Sequence, residues 1–466
     1  MIGHIIRYFY PDLQDEELRK FSLLSLIFFL IIGTYWLLRL LKNTIFLKVA
    51  FPEGLGWLPD QGRLFQPVAK FWSPFVVLVL VLIYSKLVDI FKKHQLFYVL
   101  CSLYGLIFAG TAGVLFAKEW FGVQVIGKLP LALAGWVSYF AIESFGSLIV
   151  ALFWSFTNSI TNSESAKRGF PFIVATAQLG AVAGSATLLF SPYIGTLWPI
   201  LLLASLFVFA VIPTVRYFMH VIPPEQLIGN KEATATERQK EGFWEGFISG
   251  FTLLVTRPYL LGVLVISTLY EAIAQIVEYQ MQTQACMSPT YASDVAFAQF
   301  QAWYGVSINV VSLLIALLGT SYIIKRFGVR VSLLIYPIAF AITLAALLGY
   351  FQLGTYTPTI LLWVTFAAMV LIKGIGYAVN NPTKEMMYIP TSKDAKFKSK
   401  GWIDTFGSRF AKSGGAQVTN AFKHSPNDLM LYGSFFGFGL IGAWLMAALY
   451  VGRKNTELIK EGKIIK

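Results

Sequence analysis

Phe21–Leu41 reads FSLLSLIFFLIIGTYWLLRLL, a run in which Arg39 is the single charge. A helix rises about 1.5 Å per residue, so about 20 such residues cross the hydrocarbon core of a bilayer. Windows of the same kind recur near Phe71–Leu87, Leu96–Phe116, Leu129–Trp154, Phe170–Phe190 and Ile194–Val215. They continue near Pro258–Glu278, Phe297–Ile324, Val331–Phe351, Thr359–Val379, Trp402–Phe422 and Leu429–Val451. The chain has 466 residues, of which 56% are hydrophobic, 16% aromatic and only 13% charged, a balance foreign to a soluble core. The pattern predicts an all-α polytopic membrane protein with twelve transmembrane helices.

Phe218–Thr256 interrupts the spans with Pro223–Pro224 and the polar run Asn230–Gly242. It reads as a cytoplasmic linker (218–256) joining two six-helix bundles, residues 1–217 and 257–466, the second ending in a basic tail. Two such bundles around a midplane cavity are the major-facilitator plan. Retained loops gather Lys and Arg. With both termini cytoplasmic, twenty-six of the 37 basic residues fall on the inner side and six on the outer, while Arg39, Lys42, Lys373, Arg409 and Lys412 lie within or at the ends of spans. This topology accounts for most of the net charge of +13, so the charge is no argument for nucleic acid. The opening MIGHIIRYFYPDLQDEELRK is too polar and acidic for a cleaved signal, and reads as an amphipathic lead-in to a retained first span.

Cys101 and Cys286 cannot make a disulfide framework, and no histidine sits at ligand spacing from Cys, Asp or Glu. No cofactor or metal is expected. Every loop except the linker is short, which leaves no room for a soluble catalytic domain, so the chain reads as a carrier and not an enzyme. A membrane enzyme acting on a phosphorylated lipid or sugar is the alternative from another class.

Ionisable groups inside a bilayer cost about 2.5–3.5 kcal/mol even on the lenient scale, so those that are kept point to a hydrophilic substrate. Arg39 and Lys42 lie three apart and share a helix face, where they either offer two cations to one anion or snorkel to the outer interface. Glu143 stands alone in FAIESFGSLIVALFW and needs a partner or water. Asn158 is either a helix-end cap or a base-reading amide. Glu271 and Glu278 share a face with Gln275 and Gln282 nearby, as a wetted cavity wall or as interhelix salt bridges. NNPTKEMMYIP (Asn380–Pro390) supplies Lys384, and GWIDTFGSRFAKSGGA (Gly401–Ala416) places Asp404, Ser408 and Lys412 at i, i+4 and i+8 with Arg409 beside them. A phosphate there can take charge-assisted hydrogen bonds from Lys412 and Arg409. The run from Gly407 to Ser413 is one residue short of a P-loop, has Ala411 at the second glycine, and comes after no strand.

Four blocks carry a resemblance: LLRLLKNT (Leu37–Thr44), FWSFTNSITNSESAKRGFPF (Phe153–Phe172), NPTKEMMYIP (Asn381–Pro390) and KGWIDTFGSRFAKSGGA (Lys400–Ala416). They are similar to the ATP/ADP translocase family of bacterial and plastid nucleotide transporters. The resemblance implies nucleoside phosphates as transported substrate, ATP:ADP antiport as the activity, and one lysine and one glutamate per half as the transport charges. By motif these fall on Lys42, Glu143, Glu278 and Lys412. Asn43 and Gln282 depart from the family, which has aspartate and lysine there, so a proton-coupled importer of GTP or another nucleotide is the runner-up, with a carrier of another phosphorylated metabolite behind it. The expected mechanism has Lys42 and Lys412, assisted by Arg39 and Arg409, binding the phosphate chain while Glu143 and Glu278 hold the lysines in the empty site. Tyr35 or Trp36 is a candidate to stack on the base.

Overall fold

The structure is a computed structural model that describes residues 15–227, 243–318, 320–354 and 356–465. Residues 1–14 of the lead-in and the polar run Asn230–Gly242 lie outside the described residues. The long helices are α1 (Asp15–Thr44), α2 (Gln61–Ile90), α3 (Lys93–Phe121), α4 (Lys128–Ser159), α5 (Ser163–Thr187) and α6 (Trp198–Val221). A shorter α7 (Phe243–Thr256) precedes α8 (Pro258–Met287), α9 (Asp294–Leu318), α10 (Thr320–Gln352), α11 (Pro358–Ile375), α12 (Lys393–Trp402), α13 (Ser408–Ala421) and α14 (Pro426–Lys460).

Ten helices among the described residues are long and apolar enough to cross a membrane. The expected eighth and eleventh spans are not among them. α9 runs to Leu318, next to the undescribed residue 319, and α13 carries KSGGAQVTN, too polar to count by composition. The surface agrees with a lipid solvent: on α2, Trp72, Phe75, Val79 and Ile83 are all exposed at helical spacing. In water such a stripe would be a large apolar patch, whereas lipid tails solvate it at no cost.

Two compact units are resolved, each with its own packing. The first comprises Met1–Pro59, Val79–Lys240 and Ser293–Val306, and the second Asp60–Leu78, Glu241–Ala292 and Ser307–Lys466. In the first, α1 packs against α4, α5 and α6. Lipid tails are as apolar as leucine, so helices here associate through close packing at small residues. A Cβ added to Gly184 on α5 would sit 1.9 Å from the Gly33 carbonyl oxygen of α1, and one added to Gly180 would sit 2.7 Å from the Phe29 carbonyl oxygen. On the other side of α1, Tyr35 lies over Gly146 of α4.

In the second unit, α8 packs against α11, α13 and α14. Gly415 of α13 meets the Ala272 carbonyl of α8 so closely that a Cβ would sit 2.4 Å from its oxygen. Tyr270, Tyr336 and Trp444 form an aromatic cluster behind it, with the Tyr336 and Trp444 rings 5.1 Å apart, edge to face. Gly328, at φ 72°, turns the chain inside α10, a conformation that a side chain would resist.

Among the described residues there are three π-helical turns: Ile45–Val49 ends α1, Gly376–Asn380 follows α11, and Ile403–Gly407 lies between α12 and α13. A π turn inserts one residue into the α-helical register and so rotates the downstream side chains by about 100° around the axis, and such turns concentrate at functional sites.

The glycine seam between α1 and α5 can be tested directly. Gly184→Leu forces the two helices apart and is expected to lower the yield of monodisperse protein in detergent at least severalfold, read by size-exclusion chromatography. Gly110→Leu, on α3 with open space around it, is expected to leave the profile unchanged.

Candidate functional site

Lys42 lies in the last turn of α1, three residues before the π turn Ile45–Val49. Its Nζ donates to Glu143 Oε1 on α4, and the two side chains are only 6% and 15% exposed. One helical turn before Glu143, the Tyr139 ring presents its face to the same ammonium at 4.6 Å. The pair thus has a carboxylate and an aromatic quadrupole on one cation, with little water. Taking both charges out of water costs several kcal/mol per ion, so either member left alone is strongly destabilising. Asn43 is buried beside the lysine, and Thr44 returns its hydroxyl to the Leu40 carbonyl at 3.2 Å. Arg39 lies with its guanidinium 4.8 Å from the Trp36 ring centre, which makes Trp36 a partner of that arginine.

The second unit has a counterpart with the signs exchanged. Glu271 on α8 places Oε2 3.4 Å from Lys412 Nζ of α13 and 3.5 Å from Lys373 Nζ of α11. Glu271 and Lys373 are almost enclosed, while Lys412 keeps 33% of its side chain exposed. Lys373 stands three residues before the π turn Gly376–Asn380, as Lys42 stands before Ile45–Val49. Lys384, just beyond that turn, reaches to 5.2 Å from the ring of Tyr270, the neighbour of Glu271. Three lysines therefore converge around one glutamate, and the cluster carries excess positive charge.

The partner of Lys412 in the second unit is thus Glu271, seven residues before Glu278 on α8. Glu278 is half-buried and is itself engaged by a neighbour. Gln275 and Gln282 are both buried, and Gln282 accepts a hydrogen bond from Gln66 Nε2 of α2. A neutral amide pair stands where the resemblance implied a lysine.

Asp404 sits inside the π turn Ile403–Gly407, exposed, and reaches the same cluster through Lys384, with Lys400 also in electrostatic reach. Arg409 is half-buried at the start of α13. Asn158 is exposed in the last turn of α4, and the cap of the next helix is Asn162, whose side chain accepts from the Ser165 amide at 2.8 Å. Lys373 was legible in sequence as a lone cation within LLWVTFAAMVLIKGIGYAVN, but nothing local named its partner.

Among the described residues no group of His, Cys, Asp and Glu has the geometry of a metal site, and both cysteines are free and buried.

The chain is 27% identical over 494 aligned residues to ADP,ATP carrier protein 1 of Chlamydia muridarum, covering 95% of this chain and 90% of that protein. It is 23% identical to the chloroplastic ADP,ATP carrier protein 2 of Arabidopsis thaliana, covering 96% and 76%. Among solved structures it is similar to a D-xylose-proton symporter, with a TM-score of 0.59 at 13% identity over 93% of this chain and 96% of that one. That likeness gives the fold, a major-facilitator-like arrangement of helices. The model of the TLC ATP/ADP transporter family matches residues 2–125 and 134–452. The chain belongs to the TLC ATP/ADP transporter family.

Proposed function

We propose that this protein carries nucleoside phosphates, ATP and ADP or related purine nucleotides, across a bacterial inner membrane by alternating access. Membership of a nucleotide transporter family makes it a transporter and not an enzyme. The full topology belongs to the proposal: twelve helices in bundles of residues 1–217 and 257–466, a cytoplasmic linker at 218–256, and both termini cytoplasmic.

The observation that carries the reading is the pair of buried Lys–Glu contacts, one in each unit, with the second unit in cationic excess. Buried ion pairs add little net stability, because desolvation offsets their attraction. They are better suited to exchange. A phosphate oxygen accepts charge-assisted hydrogen bonds from an ammonium as a carboxylate does, and binding it would release Glu143 from Lys42, or Glu271 from Lys412 and Lys373. Substrate and glutamate then compete for the same ammonium groups. In the empty carrier each glutamate offsets part of the charge of its lysines, and in the loaded carrier a phosphate would take the glutamate's place on them. Arg39, Arg409 and Lys384 would extend this contact along the phosphate chain, and Asp404, Asn158 and Glu278 are the remaining candidates for orienting it.

A second reading, proton-coupled import of GTP or another nucleotide, draws on Asn43 and the Gln66–Gln282 amide pair, which remove charge near the proposed site. Vesicles separate the two. Uptake of labelled ATP that requires internal ADP identifies exchange, whereas uptake driven by a pH gradient into empty vesicles identifies import. Competition by unlabelled GTP and sugar phosphates ranks the substrates.

Lys42→Ala and Lys412→Ala are each expected to reduce uptake of labelled nucleotide more than about tenfold, the loss of one charge-assisted contact. Unchanged uptake by well-expressed variants would remove both residues from the site. Glu143→Gln strands the Lys42 ammonium and is expected to destabilise the protein by about 3 kcal/mol. Thermal unfolding in detergent should show the lowered midpoint, and Lys42→Met added to Glu143→Gln should recover most of it.

A further inference from the structure

α7 (Phe243–Thr256) is absorbed by neither the spans nor the charged cluster. Its described residues sort onto three faces. Phe247, Gly250 and Leu254 point into the protein: Leu254 is fully buried, Phe247 packs edge to face on Phe406 at 5.0 Å, and a Cβ on Gly250 would meet the Lys398 carbonyl of α12 at 3.2 Å. Ile248, Phe251 and Val255 form an exposed apolar stripe, 59%, 46% and 50% accessible. Ser249, Thr252 and Thr256 form a hydroxyl stripe beside it, which ends at Arg257, the residue that begins α8.

This hydroxyl face lines an open groove of about 840 Å³, made by Ile248, Ser249, Thr252, Leu253, Thr256 and Arg257. Arg257 also borders a second groove of about 480 Å³, on whose far side stand Tyr450 and Lys454, the latter bonded to Glu457 at 3.0 Å. The neighbouring α12 adds Lys396 and an outward Phe397 that is 81% exposed. Apolar side chains turned outward beside hydroxyls and cations are the design of a helix that lies at the membrane surface, its apolar face in the acyl boundary and its polar face among headgroups.

We infer that the groove along α7 binds the headgroup of an anionic phospholipid. Arg257 takes the phosphate with its planar fork, Ser249 and Thr252 hydrogen-bond the phosphate or glycerol oxygens, and the acyl chains run along Ile248, Phe251 and Val255. The Thr256 hydroxyl donates to the Thr252 carbonyl at 2.7 Å, so it offers lone pairs only and turns toward the glycerol hydroxyls of a headgroup. The groove's volume holds a headgroup but not two acyl chains, which is why the apolar stripe has to continue outside it. Through Phe251, whose ring lies 5.4 Å from that of Trp402, the bound lipid would brace the residue that opens the π turn leading to Lys412.

The test uses the full-length protein in detergent, titrated with short-chain phosphatidylglycerol and, separately, with phosphatidylcholine of the same chain length. The wild type should prefer phosphatidylglycerol by at least about fivefold, the gain of one basic residue at an anionic surface. Arg257→Gln should erase that preference, weakening phosphatidylglycerol binding more than phosphatidylcholine binding. Arg257→Lys, which keeps the charge and loses the fork, should keep part of it and serves if the glutamine variant does not fold. Retention of the full preference by Arg257→Gln would overturn the site, as would displacement of the lipid by inorganic phosphate at matching concentration, which would make it a site for the free anion.

Discussion

A charge in the bilayer must be met by another charge or by water, and the rest of this structure depends on how that requirement is handled. Lys42 is met by Glu143 and the Tyr139 ring, and Lys373 and Lys412 are met by Glu271. Neither arrangement suits a purely structural protein, since a leucine in each place would be cheaper. Charges kept under that penalty fit the proposal that they change partners, and a polyanionic cargo is the partner that a lysine-rich cluster favours.

The two units solve the problem with the same parts in opposite positions. In the first, the cation is on α1 and the anion on α4; in the second, the anion is on α8 and the cations on α11 and α13. Both first helices are approached by a glycine-bearing partner, Gly184 on α5 and Gly415 on α13. In both, a lysine precedes a π turn by three residues. The polarity is inverted between the units, and the lysine that precedes a π turn lies on α1 in one and on α11 in the other. The first holds one lysine against one glutamate, whereas the second holds lysines in excess.

The membrane class and most spans are legible in the sequence, and Lys42, Glu143 and Lys412 stand out in it as charges among apolar residues, because length, hydropathy and isolated charge are local properties. Partnership is not local. Glu271 and Glu278 share a face of α8 and are indistinguishable by spacing; only the position of α13 selects Glu271 for Lys412. For Asp404 the i, i+4, i+8 spacing assumes an unbroken α-helix, and Ile403–Gly407 is not one, so spacing alone does not give its neighbours. The eleventh span falls short on composition for the reason that makes it interesting, since α13 carries the polar residues of the cluster.

The contacts at Gly33, Gly180 and Gly184 leave backbone touching backbone, with no flexible side chain between α1 and α5 to take up movement. A seam of that kind can neither slide nor rotate without collision, so α1 and α5 translate as a single strut. Gly415 imposes the same condition on α8 and α13. Flexure has to be found where helical hydrogen bonding is already irregular. The π turns beside Lys42 and Lys373, and the one leading to Lys412, are the compliant joints in an otherwise stiff frame, which puts mechanical give at the charges proposed to change partners.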